Sequence, residues 1–475
     1  MSSDSRIDMT DGAITPKLFA LSWPLVAGNL LQTLYNLADV FWVGRVGADA
    51  VAAVSLMFPM SWMFVSTAMG ITAATIALVS QHVGAGEDRE ADHVVGQTIL
   101  LTIAVSVALA TLGFVFRHPL LDLIGAQGAV YTEALAYIEV IFLSLPLTFL
   151  FFAFRAALQG AGDTKTAMWL MVVSAGLNVV LDPILILGYG PISGMGTRGA
   201  AIATFVARLF ATAVGVYILL RGDWGVKLHL EDLRPDPKRL KKLVDIGSPA
   251  TLDGWARSFS AVVMAAFVAR FGPIATAAYG IGVRLMSVSW SVSGAVGQAT
   301  STGVGQNLGA RTPDRAATVT WTAMAATMAL LFTAAGLVVV FPVEAMRLFI
   351  DEQAVIDEGV TFLRIVAPSW AFFGGVMVIQ GAFRGAGITK AAMALSFLSR
   401  WIFRVPVAVA VAFTWTVTIP GLGPVSSLGW GVEGLWWAYV AGAVGSFVVA
   451  VAWFRVGTWR EGVLDHDPVP AADDD

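Results

Sequence analysis

Residues 160–165 read Gly-Ala-Gly-Asp-Thr-Lys, and residues 385–390 read Gly-Ala-Gly-Ile-Thr-Lys. They are displaced by 225 residues, and the same displacement, without a gap, places Gln81-His82-Val83-Gly84-Ala85 on Gln306-Asn307-Leu308-Gly309-Ala310. Single residues keep the same register, since Pro24 aligns with Pro249, Arg45 with Arg270 and Gly47 with Gly272. One offset over this distance indicates that the second half of the chain is a diverged copy of the first.

The composition is typical of a protein that has the bilayer as its solvent. Apolar residues make up 57% of the 475 positions, charged residues make up 13%, and the mean hydropathy is +0.75. Apolar runs of roughly 20 residues or more recur along the chain, and such runs can cross a hydrocarbon core about 30 Å thick. They are too long and too uniformly apolar for the alternating strands of a barrel, so we expect helices.

Twelve apolar runs between Gly, Pro and charge clusters predict twelve helices. They cover approximately residues 18–43, 51–80, 94–116, 130–157, 166–188, 199–220, 243–270, 274–305, 317–341, 355–382, 391–415 and 433–456. The predicted fold class is therefore an all-α integral membrane protein with twelve transmembrane helices in two six-helix bundles. An even number of spans per half inserts both copies with the same orientation, as parallel repeats.

The domain organisation follows from these runs and from the one long polar connector between them. We expect a cytoplasmic N-terminal segment (1–17), an N-lobe (18–220), a cytoplasmic linker (221–242), a C-lobe (243–456) and an acidic cytoplasmic tail (457–475). The net charge of −4 and the acidic tail argue against a nucleic-acid partner, and the absence of cysteine excludes disulfides and thiolate metal sites.

The distribution of basic residues predicts the orientation. Most of the 29 Lys and Arg residues lie in connections on the side of the two termini, and only five lie in connections on the other side, namely Arg45, Arg117, Arg198, Arg270 and Arg347. Cytoplasmic loops carry the excess of positive charge, so both termini are expected in the cytoplasm. The protein is then a multi-pass protein of the plasma membrane.

The two halves differ where they carry acid. Asp39 lies in the middle of an apolar segment and aligns with Met264, while Asp182 lies in another and aligns with Val407. Ionised side chains at membrane depth are rare, since a central Asp costs about 2.5–3.5 kcal/mol to insert even on a lenient scale. The buried carboxylates therefore belong to one copy of the repeat, the N-lobe.

Other polar residues accompany both acids at helical spacing. In the first helix, spacings of three and four residues place four of them on one face, namely Gln32, Tyr35, Asn36 and Asp39. In the fifth helix, Asn178 and Asp182 are one turn apart. Polar stripes must face protein or water rather than lipid, so the two stripes predict a common polar cavity.

Three interpretations of these acids remain open. In the first, Asp39 and Asp182 bind and release a proton as the cavity opens to water. Together with Asn178 they also offer the hard oxygen ligands that suit Na⁺. In the third interpretation they only hydrogen-bond neighbouring helices.

Two prolines lie in the helices that carry the acids, and the sequence lacks several motifs typical of enzymes. Pro183 directly follows Asp182 and Pro24 lies near the start of the first helix, where each can bend its helix as a packing kink or as a hinge. The sequence has no phosphate-binding loop of the GxxxxGK[ST] type and no Gly-x-Ser-x-Gly elbow in a strand context, and its five histidines fall in predicted loops or helix ends. We therefore expect neither an enzyme nor a resident cofactor or metal centre.

These features together resemble the multidrug and toxic compound extrusion (MATE) family, from about Leu18 to Val456. The motifs that carry the resemblance are Ser22-Trp23-Pro24, Tyr35-Asn-Leu-Ala-Asp-Val-Phe-Trp-Val-Gly-Arg-Val-Gly47, Gln81–Gly86, Gln159–Lys165 and Asn178–Pro183. The resemblance is closest to the DinF-like and archaeal branch. It implies a V-shaped antiporter that exposes a central cavity to alternate sides of the membrane and moves organic, often cationic, compounds outward against H⁺ or Na⁺.

The resemblance also implies roles for individual residues. Carried over by position, the ion-coupling network comprises Gln32, Asn36, Asp39, Asn178, Asp182 and Thr204, with Tyr35 and Tyr137 at the substrate cavity. Protonation of Asp39 would bend the first helix at Pro24 and expel substrate. The branch that couples Na⁺ in its C-lobe has an acid eight residues past a proline in the seventh helix, where this chain has Arg257 after Pro249. A C-lobe cation site is therefore not expected.

The sequence thus predicts a secondary active exporter coupled to H⁺, or alternatively to Na⁺. Its expected partners are small organic, cationic or amphipathic substrates and the lipid bilayer, and we expect a monomer. The alternative is a flippase for lipid-linked sugars, although the cationic cavity or extra helices usual in flippases are not evident in the sequence. A membrane-embedded enzyme or a channel is disfavoured because no catalytic constellation is present.

Overall fold

Almost every described residue of the first half lies in a helix. The structure is a computed structural model that describes residues 6–419 and 423–464, so most of the predicted acidic tail lies outside the described residues. The elements of this half are α1 (Ile14–Val43), α2 (Ala48–Gly84), α3 (Asp88–Val115), α4 (Arg117–Leu123), α5 (Gly128–Gly160), α6 (Thr164–Ile186), β1 (Gly188–Tyr189), β2 (Ile192–Ser193) and α7 (Gly196–Arg221). The antiparallel hairpin of β1 and β2 joins α6 to α7.

The second half repeats this order with more interruptions. A 3₁₀ turn, Leu230–Leu233, precedes α8 (Pro237–Ala269), α9 (Pro273–Gly309), α10 (Pro313–Val340), α11 (Pro342–Arg347) and α12 (Gln353–Val366). A second 3₁₀ turn, Ala367–Ser369, leads into α13 (Trp370–Gly385) and α14 (Thr389–Phe397). A π-helical segment, Leu398–Arg404, continues into α15 (Val405–Ala412), the hairpin of β3 (Thr416–Ile419) and β4 (Gly423–Ser426), and α16 (Val432–Val456).

Each of the twelve predicted spans coincides with a long helix or helical run. The tenth span is formed by α12, its 3₁₀ turn and α13, and the eleventh by α14, the π-helical segment and α15. Among the described residues, ten of these runs have the length and apolarity of membrane spans. The other two, α1 and α9, have 30 and 37 residues and are also long enough to cross the bilayer.

The largest boundary differences are at the starts of α3 and α8, which begin at Asp88 and Pro237 rather than at the predicted residues 94 and 243, and α8 thus begins inside the predicted linker. The side chain of Asp236 accepts hydrogen bonds from the backbone N–H groups of Lys238 and Arg239, and Pro237 occupies the first helical turn. An Asp cap followed by Pro is a strong helix start, because Pro has no N–H to leave unsatisfied there. The capping signal therefore starts the helix before the apolar run begins.

The two lobes meet along four helices. Within the N-lobe, α2 packs most extensively on α5, and the equivalent pair in the C-lobe is α9 and α13. Between the lobes, α2 packs on α8 and α9, and α1 packs on α9. The first two helices of each half therefore form the interface between the halves.

The C-terminal ends of α2 and α9 cross in close backbone contact, which we call the seam. A Cβ at Gly84 would overlap the backbone carbonyl of Gln306, and a Cβ at Gly309 would overlap that of Gln81. These residues are equivalent in the repeat, so each half offers a glycine to the glutamine backbone of the other. Only glycine allows two helix backbones to approach so closely.

The first and last described segments of the chain lie over the seam. Met9 is fully buried, its N–H donates to Oε1 of Gln306 at 2.9 Å, and its carbonyl accepts from Nδ2 of Asn307 at 3.1 Å. On the N-lobe side, the Ile7 N–H donates to the Gly162 carbonyl at 3.2 Å. The N-terminal segment thus bridges the two lobes at the end of the molecule where the seam closes.

The C-terminal end makes the matching contact on the other glutamine. The Val463 N–H donates to Oε1 of Gln81 at 3.0 Å, and Nε2 of Gln81 donates to the Gly385 carbonyl at 2.8 Å. Gln81 and Gln306, which are equivalent in the repeat, therefore each bind backbone near one chain end. These contacts hold the lobes together at the seam.

The linker lies against α3 in a fixed conformation. Nε2 of Gln97 donates to the carbonyls of Asp232 and Arg234, both at 2.7 Å, and the Arg89 guanidinium donates to the two carboxylate oxygens of Asp232 at 2.6 and 2.8 Å. Burial alone would raise the pKa of Asp232, but its hydrogen bond to Arg89 and the charge of that guanidinium lower the pKa below its usual value. The linker is therefore an ordered part of the N-lobe.

Candidate ion-coupling site

Asp182 is the most deeply buried acid of the predicted site. It lies in α6 with Asn178 one turn before it on the same face, and both side chains are buried. With the amide of Asn178 oriented so that its nitrogen faces the carboxylate, this nitrogen donates to Oδ2 of Asp182 at 2.8 Å and its oxygen accepts from the Thr204 N–H at 3.1 Å. Thr204 belongs to α7, so this hydrogen-bonded group ties α6 to α7.

Tyr35 connects α1 to the same group. Its hydroxyl lies 3.2 Å from Oγ1 of Thr204, and its side chain is half-buried. Asp39 follows one turn later on the same helix, so the face of α1 that carries Tyr35 also carries the second acid. The structure therefore brings both predicted stripes to one place.

Asp39 is the acid without a described partner. It is half-buried, its Oδ1 is buried, and no described residue forms a hydrogen bond with that oxygen. Asp39 and Asp182 are close enough to interact electrostatically, and no cation of the described chain faces either carboxylate. Tyr137, from α5, lies within electrostatic range of both acids. The site thus concentrates two carboxylates and two tyrosines, and no described ion pair neutralises either carboxylate.

Gln32 and Asn36 contribute less directly than the carried-over roles imply. Nε2 of Gln32 donates to Oδ1 of Asn36 at 2.9 Å, and the Asn36 side chain is exposed. Their described hydrogen bond joins them to each other, not to Asp39 or Asp182. The structure places them on the α1 face beside the buried group.

Both predicted hinge prolines lie inside helices. Pro24 is buried in α1, and Pro183 lies in α6 directly after Asp182. Each proline leaves the carbonyl four residues before it without the usual helical N–H donor. The two helices that carry the acids, α1 and α6, therefore each contain a point at which the hydrogen-bond ladder is interrupted.

Arg208 is a functional candidate that the sequence interpretation missed. It is buried in α7, its guanidinium donates to Oγ of Ser174 at 3.2 Å, and its Cζ lies 4.2 Å from the centre of the Phe151 ring. With Tyr35 and Thr204 it lines a narrow gap beside Asn178. The signal was present, since Arg208 follows Thr204 by one helical turn.

The equivalent place in the C-lobe holds no acid. Met264 replaces Asp39 and is fully buried, and Val407 replaces Asp182 in the same apolar core. Both lobes therefore share the same helix packing, but only the N-lobe carries carboxylates at these positions. A different charged group occurs elsewhere in the C-lobe.

That C-lobe group contains several arginines around one acid, an arrangement that was not evident in the sequence. Asp253 forms an ion pair with Arg257, at 2.6 Å, and it also lies 3.5 Å from the guanidinium of Arg384. Arg400 is close enough to interact with both members of the pair. Arg384 could not be placed there from sequence because it belongs to α13, far from Asp253 along the chain.

The donor set limits which ions the N-lobe site could hold. The described residues contain no group of three or more His, Cys, Asp or Glu side chains that could hold a metal ion. The oxygens of Asp39, Asp182 and Asn178 suit a proton or a hard monovalent cation better than a transition metal.

Comparisons with known proteins agree with this architecture. The family model MatE matches residues 24–184 and again residues 249–410, and the two matches begin at the repeat-equivalent prolines. The chain is 30% identical over 407 residues to the probable multidrug resistance protein YoeA of Bacillus subtilis (strain 168), covering 84% of this chain and 87% of that protein. It is 31% identical over 299 residues to an FAD transporter of Shewanella oneidensis, covering 63% of this chain and 66% of that protein.

A solved structure shares the fold over nearly the whole chain. The MOP superfamily transporter from Pyrococcus furiosus Vc1 (DSM3638) superposes with a TM-score of 0.85 at 24% identity, covering 94% of this chain and 96% of that chain. This likeness confirms the predicted all-α, V-shaped arrangement of two six-helix lobes. Because one family model matches both halves, the chain belongs to the MatE family and is a membrane transporter rather than an enzyme.

Proposed function

We propose that this protein exports small organic compounds in exchange for H⁺, and that Asp39 and Asp182 bind the coupling ion. The observation that carries the proposal is the pair of buried carboxylates in one lobe with no cation of the described chain against either. An ionised carboxylate is costly to bury unless a positive charge neutralises it. A transported proton supplies that charge reversibly, which a fixed arginine cannot do.

Na⁺ is the alternative coupling ion at the same place. The two carboxylates, the Asn178 oxygen and the Thr204 hydroxyl are hard oxygen ligands on α1, α6 and α7. Binding at this point would draw α1 towards α6 and α7, since Asp39 is the one ligand of this set that α1 supplies. Either ion would thus couple its occupancy to the position of α1, with Pro24 and Pro183 as the bending points.

Alternating access follows from where the lobes touch. The distribution of Lys and Arg supports a cytoplasmic position for the N- and C-terminal segments, and with them the seam. A seam closed by Gly84 and Gly309 on that side corresponds to an outward-facing state. In that state substrate leaves and the ion binds from outside. The seam then opens with the ion bound, exposes the cavity to the cytoplasm, and the ion is released there as the next substrate binds.

The substrates that this proposal favours are cationic or amphipathic organic molecules. Tyr35 and Tyr137 present aromatic rings next to uncompensated carboxylates, and the curated relative from Bacillus subtilis is named a probable multidrug resistance protein. For a compound without net charge, one proton moved across 100 mV is worth about 2.3 kcal/mol, or roughly a 50-fold concentration ratio. One-for-one exchange for a monovalent cation moves no net charge, so the pH gradient alone drives it. A single chain supplies every residue of the proposed ion-coupling site, so we propose that the protein functions as a monomer.

An export assay tests the proposal. A host that lacks its own efflux pumps would express the parent chain, Asp39→Asn, or the matched control Asp122→Asn, whose carboxylate is exposed on α4. We expect the parent and the control to export a fluorescent organic cation, and export to stop when the pH gradient is collapsed. Export that stops only when the Na⁺ gradient is collapsed would assign Na⁺, and export by Asp39→Asn at the parent rate would refute the coupling site.

The flippase alternative is distinguished by its cargo. Reconstituted vesicles that contain a labelled lipid-linked sugar would report headgroup translocation by the purified protein. We expect none, whereas translocation that survives the loss of both ion gradients would replace the exporter proposal.

A further inference from the structure

The C-lobe contains a cavity that the proposed ion exchange does not use. It lies between α8 and the helical run of α14 and the π-helical segment, and its volume is about 860 Å³. Ligand sites for small molecules span roughly 300–1,000 Å³. Much of its wall is apolar or aromatic, with Leu252, Trp255, Met393, Phe397 and Trp401 among the lining residues.

The charged residues at this cavity are predominantly positive. Asp253 lies 2.6 Å from Arg257 and 3.5 Å from Arg384, and Arg400 interacts electrostatically with Asp253 and Arg257. One carboxylate therefore faces three guanidinium groups. The sequence contains no Asp or Glu between Glu358 and Glu433, so α13, α14 and α15 bring no further acid to the cluster.

The hydrogen bonds of the cluster leave donors available. Arg400 donates to the carbonyl of Ser396 at 3.1 Å and to its hydroxyl, both on its own helix. Nε of Arg257 is buried and has no described hydrogen-bond partner. A guanidinium has five N–H donors, so both arginines can bind an anion while keeping their present contacts.

The backbone around Arg400 departs from regular α-helix. Residues 398–404 form a π-helix, a rare conformation that occurs mostly at functional sites. Pro406 follows within the next turn and cannot donate to the carbonyl of residue 402, which favours this wider turn. Trp401 stacks on Phe259, with ring centres 5.6 Å apart at 19°, and so presents a flat aromatic wall beside the arginines.

This cavity lies between the same two spans of the repeat as the ion-coupling site does in the other half. The displacement of 225 residues aligns Arg257 with Gln32 of α1 and Arg400 with Ala175 of α6. Both sites therefore lie between the first and fifth spans of their own half. Between these spans the N-lobe carries two acids, each seven residues further along its helix than the positions aligned with the arginines, whereas the C-lobe carries an excess of arginine around Asp253.

We propose that the C-lobe cavity binds an organic anion with an aromatic body. A carboxylate, sulfonate or phosphate group binds Arg257 and Arg400 by charge-assisted hydrogen bonds, and the body packs between Trp255 and Trp401. The site is independent of Asp39 and Asp182, so this inference goes beyond the exchange proposed above. The anion comes either from solution or from an anionic lipid, since both carry the same chemistry.

The test compares an anion with its neutral isostere. Parent protein in phosphatidylcholine nanodiscs would be titrated with radiolabelled 2-naphthoate and 2-naphthamide. We expect naphthoate to bind at least tenfold more tightly than naphthamide. Equal binding of the two compounds would overturn the proposal.

Variants locate the site and separate it from the exchange site. Arg257→Gln and Arg400→Ala introduce the residues that the first half carries at the equivalent positions, and we expect each to weaken naphthoate binding at least tenfold. Arg364→Ala, at an exposed arginine of the same lobe, and Asp39→Asn should bind like the parent. Size-exclusion and thermal-unfolding profiles establish that each variant is folded. Folded variants of Arg257 and Arg400 that both bind like the parent would also overturn the proposal.

A competition experiment with an anionic lipid identifies the source of the anion. Nanodiscs that contain phosphatidylglycerol would compete with naphthoate if a lipid headgroup is the natural ligand, and native mass spectrometry would show that lipid retained by the parent and lost from Arg400→Ala. Undiminished naphthoate binding in those nanodiscs assigns the site to a solute. Both outcomes support an anion site.

Discussion

Adding one methyl group at the seam should open the transporter at that end. In Gly309→Ala, the new Cβ would lie 2.7 Å from the carbonyl carbon of Gln81 and closer still to its oxygen. Carbon atoms in favourable contact lie about 3.5–4.0 Å apart. Because the obstructing atoms are backbone, relief requires α9 to move away from α2.

The size of the effect follows from comparing the two conformations. Alanine is about 1 kcal/mol more favourable than glycine in a helix, but this gain is common to both states and cancels in their ratio. The overlap exists only when the seam is closed, and overpacking of this kind costs about 1–3 kcal/mol. We therefore expect the closed-seam population to fall by roughly 5- to 150-fold relative to the open one.

Spin labels can measure this shift directly. The chain has no cysteine, so Lys165→Cys and Lys390→Cys, which are exposed and equivalent in the repeat, give one label in each lobe. The matched control is Gly294→Ala in the same helix, where a Cβ meets no atom within 4 Å. We expect Gly309→Ala to gain a population at longer inter-label distance. A distance distribution that superimposes on that of the control would refute the role of the seam.

Three further predictions test other contacts. Asn178→Ala leaves the buried Asp182 without its amide donor and should lower the free energy of unfolding by about 1–3 kcal/mol and abolish export, measured by thermal unfolding and efflux. Tyr35→Phe removes one hydrogen bond worth about 0.5–1.5 kcal/mol and should leave a stable protein with export reduced less than tenfold; complete loss of export would instead assign the hydroxyl a direct role. Because the folded pKa of Asp232 is lowered, its contribution to linker stability is present above the unfolded pKa of about 3.9 and is lost as the pH falls through the folded pKa. Hydrogen exchange of the linker should rise over that acidic range in the parent, and this pH dependence should disappear in Arg89→Gln.

Much of the fold was predictable because the sequence contains two copies of the same six-helix unit. The repeated Gly-Ala-Gly-x-Thr-Lys motif and the apolar runs gave the duplication and the twelve spans, since bilayer thickness fixes helix length. Helix ends were less predictable because polar caps extend beyond the apolar runs. The start of α8 at Pro237 follows from the Asp236 cap, which hydropathy does not report.

The site was predictable where its residues repeat along one helix. Tyr35 and Asp39, and Asn178 and Asp182, share faces at helical spacing, and an acid within an apolar run is conspicuous. Arg208 follows Thr204 by one helical turn, but the sequence analysis did not select it. Its position against Ser174 depends on how α6 packs on α7, which spacing within one helix does not specify.

Contacts between distant segments were beyond the reach of sequence patterns. Asp253 and Arg384 lie in different helices of the C-lobe, and no local period links them. The motifs around Gly84 and Gly309 were visible as a repeat, but their mutual packing depends on the crossing of α2 and α9. The only sequence feature that marks a close approach of two backbones is a glycine, and glycine also occurs for many other reasons.

The central claim is that Asp39 and Asp182 bind the ion that drives export. The most direct measurement is substrate-driven proton movement in proteoliposomes that carry a pH dye in their lumen. We expect a proton flux for the parent and for Asp122→Asn, and none for Asp39→Asn or Asp182→Asn, at equal amounts of folded protein. Proton flux at the parent rate in both N-lobe variants would contradict it.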